Sequence, residues 1–204
     1  MNGIEIAENG KLEGWERIFK RWIFELDKSL DLTNGVEAPY VHAEHGNTHH
    51  LGVSAAMEGY ATIREVIGNR NDSPARLDLV FVSEKHLDIV ECKWWEFSIL
   101  NLPSKSIIET KVNSACSDAQ SYTNKEKLFT ETQKKIRRVG VTFFTPHYSE
   151  GEVFNEKQAS ELISFIDNTV TPDILAWSFP AKSREMKYWQ RRYPGVIAVV
   201  KLAE

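Results

Sequence analysis

Two segments, Arg76-Leu77-Asp78-Leu79-Val80-Phe81-Val82 and Leu87-Asp88-Ile89-Val90-Glu91-Cys92-Lys93-Trp94, constrain this chain more than any other part of it. Both read as apolar β-strands. Asp78 in the first and Glu91 in the second stand where a hydrophobe is expected, and Lys93 follows two residues later. An ionised group inside such a run costs free energy unless something pairs with it. A divalent cation is the simplest partner for two acids, so a folding problem becomes a catalytic expectation.

Register sharpens the clue. In an antiparallel hairpin with an even loop, either Glu84-Lys85 or Ser83 to His86, Val82 faces Leu87, Val80 faces Ile89 and Asp78 faces Glu91. Opposed residues share a face with Cα atoms roughly 4.5–5.5 Å apart, and Lys93 shares that face with Glu91. A loop one residue longer or shorter sends the carboxylates to opposite faces. The loop has no Asn-Gly or Asp-Gly signature, so the pattern alone supports this register. The plainer reading pairs Asp78 with Arg76 and Glu91 with Lys93 on a solvated face. Val80, Val82, Leu87 and Ile89 would then share that face, which argues against its exposure.

At 204 residues the chain suffices for one domain with a real core. A hydrophobic content of 42% and a charged content of 26% are those of an ordinary globular protein. No apolar run reaches the roughly 20 residues that span a bilayer, and Glu5, Glu8 and Lys11 interrupt any signal-peptide layout. With Cys92 and Cys116 inside expected elements, reduced thiols and a cytoplasmic location without membrane partners are expected. The net charge of −4 leaves nucleic-acid binding to local patches.

The organisation is that of one domain over 1–204. Trp15, Ile18, Phe19, Trp22, Ile23, Leu26 and Leu30 recur at helical spacing within an N-terminal helix of about 11–31, closed by Thr33-Asn34-Gly35. A loop to about Asn47 leads to a helix capped by Thr48 and running to Gly59. Ile63–Ile67 reads as a short strand before the two described above. Ile108, Val112, Ala115, Cys116, Ala119 and Tyr122 mark the next helix, and Val139–Phe144 a buried strand ended by Pro146. Beyond, at about 155–204, lie a helix over Glu156–Asp167 and strands at Ile174–Phe179 and Val196–Val200. The fold class is α/β, a mixed β-sheet flanked by helices.

That order, with Asp78 on one strand and Glu91-Cys92-Lys93 on the next, resembles the PD-(D/E)XK nuclease superfamily, also called the restriction-endonuclease-like fold. The resemblance covers about 44–145 as an αβββαβ core with N- and C-terminal additions. Leu77 replaces the proline that names the motif, a position that varies freely in that superfamily. The resemblance implies a metal-dependent nuclease hydrolysing phosphodiester bonds of DNA. Asp78, Glu91 and the Cys92 backbone carbonyl would hold magnesium, with manganese as substitute. Lys93 would orient the nucleophile or offset charge on the phosphate. A further acid comes from the helix before the first strand, with Glu44 the first choice and Glu58 the second. Gln120, in Asp118-Ala119-Gln120-Ser121-Tyr122, is a candidate substrate contact without the four-residue spacing to tyrosine that some branches have. No separate recognition domain is evident, so a homodimer or a protein partner is the expected source of specificity.

Positive charge for phosphate contact is expected from Lys125, Lys127, Lys134, Lys135, Arg137 and Arg138. A second source is Lys182, Arg184, Lys187, Arg191 and Arg192, interleaved with Tyr188, Trp189 and Tyr193. Either run equally suits a solvated face. Trp94 and Trp95 are favoured as packing residues over base-stacking ones. His42, His45, His49 and His50 cluster near Glu44, and His45 with His49 has zinc-ligand spacing on a helix, but Gly46 and Asn47 speak against helical geometry there. The rival functions are a non-catalytic nucleic-acid-binding or assembly subunit of the same fold, a histidine- and zinc-centred hydrolase, and a purely structural domain.

Overall fold

The computed structural model describes all residues except Asn9, Asn71, Asp72, Asn124, Lys125, Glu126, Glu150 and Met186, and it leaves out the side chains of Thr123, Lys127, Leu128, Arg184 and Glu185. In chain order it forms β1 (Asn2–Ile6), α1 (Trp15–Leu32), a short 3-10 turn (Pro39–Val41), α2 (Ala43–Met57), β2 (Ala61–Arg70), β3 (Ser73–Val82), β4 (His86–Ser98) and α3 (Lys105–Ser121). There follow β5 (Tyr122–Thr123), α4 (Lys127–Thr130), β6 (Lys135–His147), α5 (Glu156–Val170), β7 (Ile174–Ser178), a second 3-10 turn (Ala181–Glu185), β8 (Lys187–Tyr188), β9 (Arg191–Arg192) and β10 (Val196–Leu202).

One mixed sheet has the order β1-β7-β10-β6-β4-β3-β2-β5, and β8 with β9 forms a separate hairpin. The β2–β3–β4 meander is antiparallel, whereas β4 and β6 are parallel and joined through α3, because parallel neighbours need a crossover. The two faces of the sheet bury different helices. The aromatic stripe of α1 (Trp15, Phe19, Trp22) packs on Leu79, Phe81, Val90, Cys92 and Phe143 together with α2. On the other face α3 and α5 cover Phe144, Leu175, Ile197 and Val199, and a smaller cluster joins Val80, Leu87, Ile89 and Tyr122. No helix among the described residues is long and apolar enough to cross a membrane.

Three expectations about elements need correction. Helix α2 starts at Ala43, not Thr48. Gly46 is inside it because a Cβ there would lie 2.3 Å from the Pro39 carbonyl, so the residue read as a helix breaker is what lets the 3-10 turn fold against α2. Strand β6 begins at Lys135, within the basic stretch, and runs through Pro146 to His147. Its ladder with β10 has already ended at Ile197↔Phe144, so a missing N–H is tolerated there. Strand β1 and the β8–β9 hairpin were not foreseen, since two- to five-residue strands carry little periodicity.

Candidate active site

The hairpin forms the register expected from an even loop. Val82 pairs with Leu87 and Val80 with Ile89, and the Ser83 N–H donates to the His86 carbonyl at 2.9 Å to close the loop. The ladder then ends at Leu79↔Val90, one residue before Asp78 and Glu91. On its other edge β3 pairs Leu79 with Arg64 and Leu77 with Val66, but no pair forms between Glu65 and Asp78 among the described residues. Glu65 has a φ of 55°, a left-handed conformation rare for a side chain of its kind. The β2–β3 ribbon therefore kinks at Asp78 and leaves an edge of β4 uncovered.

Carboxylates take over that edge. Asp78 Oδ2 accepts the Cys92 N–H at 2.8 Å, and Glu44, from the first turn of α2, lies near the N–H of Trp94. One N–H that β3 no longer reaches is thus satisfied by an acid, as a buried backbone donor must be, and a second faces one. Glu91 and Lys93 project toward α3. Glu91 is 1% exposed. Arg70, near the far end of the β2–β3 ribbon, brings Nη2 within 2.6 Å of Glu91 Oε1 and Nη1 within 3.5 Å of Asp118 Oδ2. Lys93 Nζ lies 2.8 Å from Asp118 Oδ2 and 4.0 Å from Glu91 Oε2. Asp118 can reach in because α3 lies directly on β6 at Gly140, where a Cβ would meet the Cys116 nitrogen at 2.6 Å, and Gly140 is the ladder partner of Glu91.

The electrostatics follow from crowding acids in a half-dry notch. Burial, with Asp78 adding, pushes the Glu91 carboxyl up to about 7 against the pull of Arg70 and Lys93. Burial also raises Asp78 and Glu44, Lys93 opposing in both cases. Burial pulls Lys93 down, but its hydrogen bond to Asp118 together with the charges of Asp118, Glu44 and Glu91 outweighs this, and its pKa ends above the ordinary value. The Cys92 thiol faces the opposite, α2 side of the sheet and is driven well up by burial, so it is no nucleophile.

Carboxylate oxygens are the donors a hard cation takes, and Asp78, Glu91 and Glu44 lie along one strand edge without converging on a single point. Glu91 Oε1 is buried without a hydrogen bond among the described residues, because the Arg70 contact is ionic and not aligned. No three His, Cys, Asp or Glu side chains among the described residues stand close enough together to form a ready ligand set. Arg70 and Lys93 meanwhile supply the positive charge beside Glu91 and Asp118.

The sequence-derived candidates divide clearly. Asp78, Glu91, Lys93 and Glu44 come together. Glu58 does not: it ends α2 and pairs with Arg21 at 3.1 Å, about 21 Å along the helix from Glu44 at 1.5 Å per residue. Gln120 donates to the Glu204 carbonyl and is not brought to the cluster, since two residues turn a helix by about 200° and put Asp118 on the site side instead. Arg137 is no phosphate ligand: it is buried with Asp88. Lys135 faces His86 in the ladder where Thr142 faces Lys93, so Lys135 lies about 23 Å from Lys93 at 3.3 Å per residue. Lys125 and the side chains of Lys127 and Arg184 lie outside the described residues. Lys187, Arg191 and Arg192 sit in the β8–β9 hairpin, where Arg191 binds Glu96 at 2.5 Å.

His45 stays near Glu44, while the other three clustered histidines have separate partners. His42 contacts Glu37 at 2.9 Å, His49 contacts Arg64, and His50 faces the Trp22 carbonyl at 3.3 Å, where burial pulls it down to about 4. Sequence reasoning missed Arg70 and Asp118. Asp118 flanks the buried stripe of Ala115 and Ala119 and could have been found from that spacing. Nothing in the sequence marks Arg70, whose reach depends on the kink at Glu65. No family model, curated protein or solved structure matches this chain.

Glu91 yields a stability test. Its ordinary value is 4.5, so between about pH 4.5 and 7 the folded chain holds a proton that the unfolded chain has released. The stabilisation is complete below that window and is lost as pH rises through 7, a difference on the order of 3 kcal/mol. Glu91→Gln, which cannot ionise, is expected to melt with the native chain at pH 5 and roughly 5–10 °C above it at pH 8 in chelator. Equal melting temperatures at both pH values would contradict the strained carboxylate.

Proposed function

We propose that this chain is a divalent-metal-dependent nuclease with a restriction-endonuclease-like core, hydrolysing phosphodiester bonds of DNA. The observation that carries the reading is the parting of β3 from β4 at Asp78 and Glu91, which gathers three carboxylates and a lysine on one strand edge. The order from α2 to β6, with β4 and β6 parallel, is the order this reading requires.

Asp78 and Glu91, with Glu44 and the Cys92 backbone, would hold magnesium. When bound, that ion supplies positive charge for the phosphoryl oxygens and makes a bound water more acidic. Lys93 donates a proton-bearing N–H to the attacking water or to a nonbridging phosphate oxygen. Asp118 fixes the direction of that ammonium and keeps it protonated. Arg70, released from Glu91, is placed for the substrate phosphate, where its planar fork suits two oxygens. Asp78 holds the strand edge open by satisfying the Cys92 N–H, with Glu44 beside the Trp94 N–H.

The test is incubation of the purified chain with linear, circular and single-stranded DNA in magnesium, in manganese and in chelator. Cleavage in either metal and none in chelator is the expected result. Intact DNA of every form in both metals would overturn the nuclease reading, and metal-independent binding alone would favour a non-catalytic subunit.

A further inference from the structure

We infer that a recess beside the strand edge takes one unpaired nucleobase of the substrate, an assignment that rests on the nuclease reading and narrows it to DNA with a single-stranded or unstacked position. The recess, of about 470 Å³, is walled by the rings of Trp94, Tyr188, Trp189 and Tyr193, with Glu96 and Arg191 at its rim. It lies beside Glu44, on the face of the sheet opposite to Lys93. Trp94 follows Lys93 on β4, packs with the α1–α2 cluster and has its backbone N–H near Glu44. Val41, which also lines the recess, precedes Glu44 by three residues.

The hairpin that closes it is built at a conformational cost. Tyr188 pairs with Arg191, so Trp189 and Gln190 form a two-residue turn. Trp189 has a φ of 58°, at a turn position that ordinarily goes to glycine. The residue is nevertheless 85% exposed, so burial does not explain a bulky side chain there. Strain of this kind collects at binding sites. Tyr188 supports the turn through ring contacts with His42, Trp189 and Tyr193 at centroid distances of 5.6, 6.4 and 6.5 Å.

Aromatic walls with a carboxylate also suit an alkylammonium ligand. Here the carboxylate is already taken: Glu96 accepts from Arg191 Nη1 at 2.5 Å and from the Tyr193 hydroxyl at 2.9 Å. What remains is π-surface with those Arg191 N–H groups that Glu96 does not use, which matches a base and its adjoining phosphate. A base inside a duplex cannot enter a recess, so it must be unpaired first.

The experiment measures binding of a labelled single-stranded oligodeoxynucleotide in calcium, by anisotropy, to the native chain, Trp189→Phe and Trp189→Gly. Trp189→Phe is expected to bind within about threefold of the native chain and Trp189→Gly at least about tenfold more weakly. The glycine variant should melt no lower, because its backbone suits glycine. An oligonucleotide with abasic positions should bind the native chain as weakly as the intact one binds Trp189→Gly, a comparison independent of how the variant folds. Abasic and intact strands binding alike, or duplex binding as well as single strand, would overturn the assignment. A Trp189-dependent preference for single strands in a chain that cleaves nothing would uphold the recess while refuting the nuclease.

Discussion

Lys93→Ala is expected to slow DNA cleavage by about two to three orders of magnitude, the range seen when a charge-stabilising donor is removed from a reaction centre, and to leave the fold intact. Among the described residues Lys93 Nζ is the ammonium closest to the acidic cluster, 2.8 Å from Asp118 and 4.0 Å from Glu91. Its loss does not strand those acids without a counter-charge. Arg70 stays 2.6 Å from Glu91 and 3.5 Å from Asp118, so the melting temperature should fall by only a few degrees. Asp118→Asn should act in the same direction but more weakly, since the lysine remains and only its bearing is loosened. Single-turnover cleavage paired with thermal melting separates the outcomes. Cleavage by Lys93→Ala within about tenfold of the native rate would remove the lysine from the chemistry.

The largest effect on stability is expected far from this cluster. Arg137 and Asp88 form a bidentate pair, Nε to Oδ1 at 2.6 Å and Nη2 to Oδ2 at 2.7 Å, buried between the sheet and α1. Trp15 Nε1 donates to Asp88 Oδ2 at 2.8 Å, and Arg137 Nη1 donates to the Lys11 carbonyl at 3.2 Å. The pair therefore ties β4, β6 and the start of α1 together. Arg137→Ala leaves Asp88 charged in a dry site with only the indole N–H, a change that costs about 3–5 kcal/mol, or roughly 6–20 °C in melting temperature for a chain of this size. Lys134→Ala, an exposed neighbour that reaches the Glu84 carbonyl, should shift stability by less than about 0.5 kcal/mol. Denaturant melts of both variants decide the matter. If Arg137→Ala lost less than 1 kcal/mol, or weakened DNA binding without destabilising the fold, Arg137 would be a substrate contact after all.

These two predictions also mark where sequence reading works and where it stops. The hairpin register was legible because Val80, Val82, Leu87 and Ile89 share a face only when the loop is even, and α1 was legible because seven apolar residues recur at its period. The direct pairing of Asp78 with Glu91 that this alignment predicts does not form, because the ladder stops at Leu79↔Val90 and Asp78 accepts the Cys92 N–H instead. Asp88 was not legible as a structural acid: it sits in the same apolar run as Glu91, and only the packing of Trp15 and Arg137 gives it a different role. Arg137 was misread for the same reason, as one of several cations in a run whose strand geometry buries every second position. Asp118 and Arg70 come from elements 25 and 23 positions apart from Lys93, at 118 and 70 in the chain, and their meeting depends on the approach of α3 at Gly140 and the kink at Glu65. Gly46 shows the limit of breaker rules, since close approach to Pro39 overrides its poor helix propensity.

The most direct measurement is calorimetric titration of manganese into the native chain and into Glu91→Gln at pH 8, where the native carboxylate is ionised. Saturable binding by the native chain, weaker at pH 6 as Glu91 takes up its proton and lost in the variant, is the result predicted by a metal centre on the open edge of β4. Identical isotherms for the two proteins, or no heat from either, would contradict it.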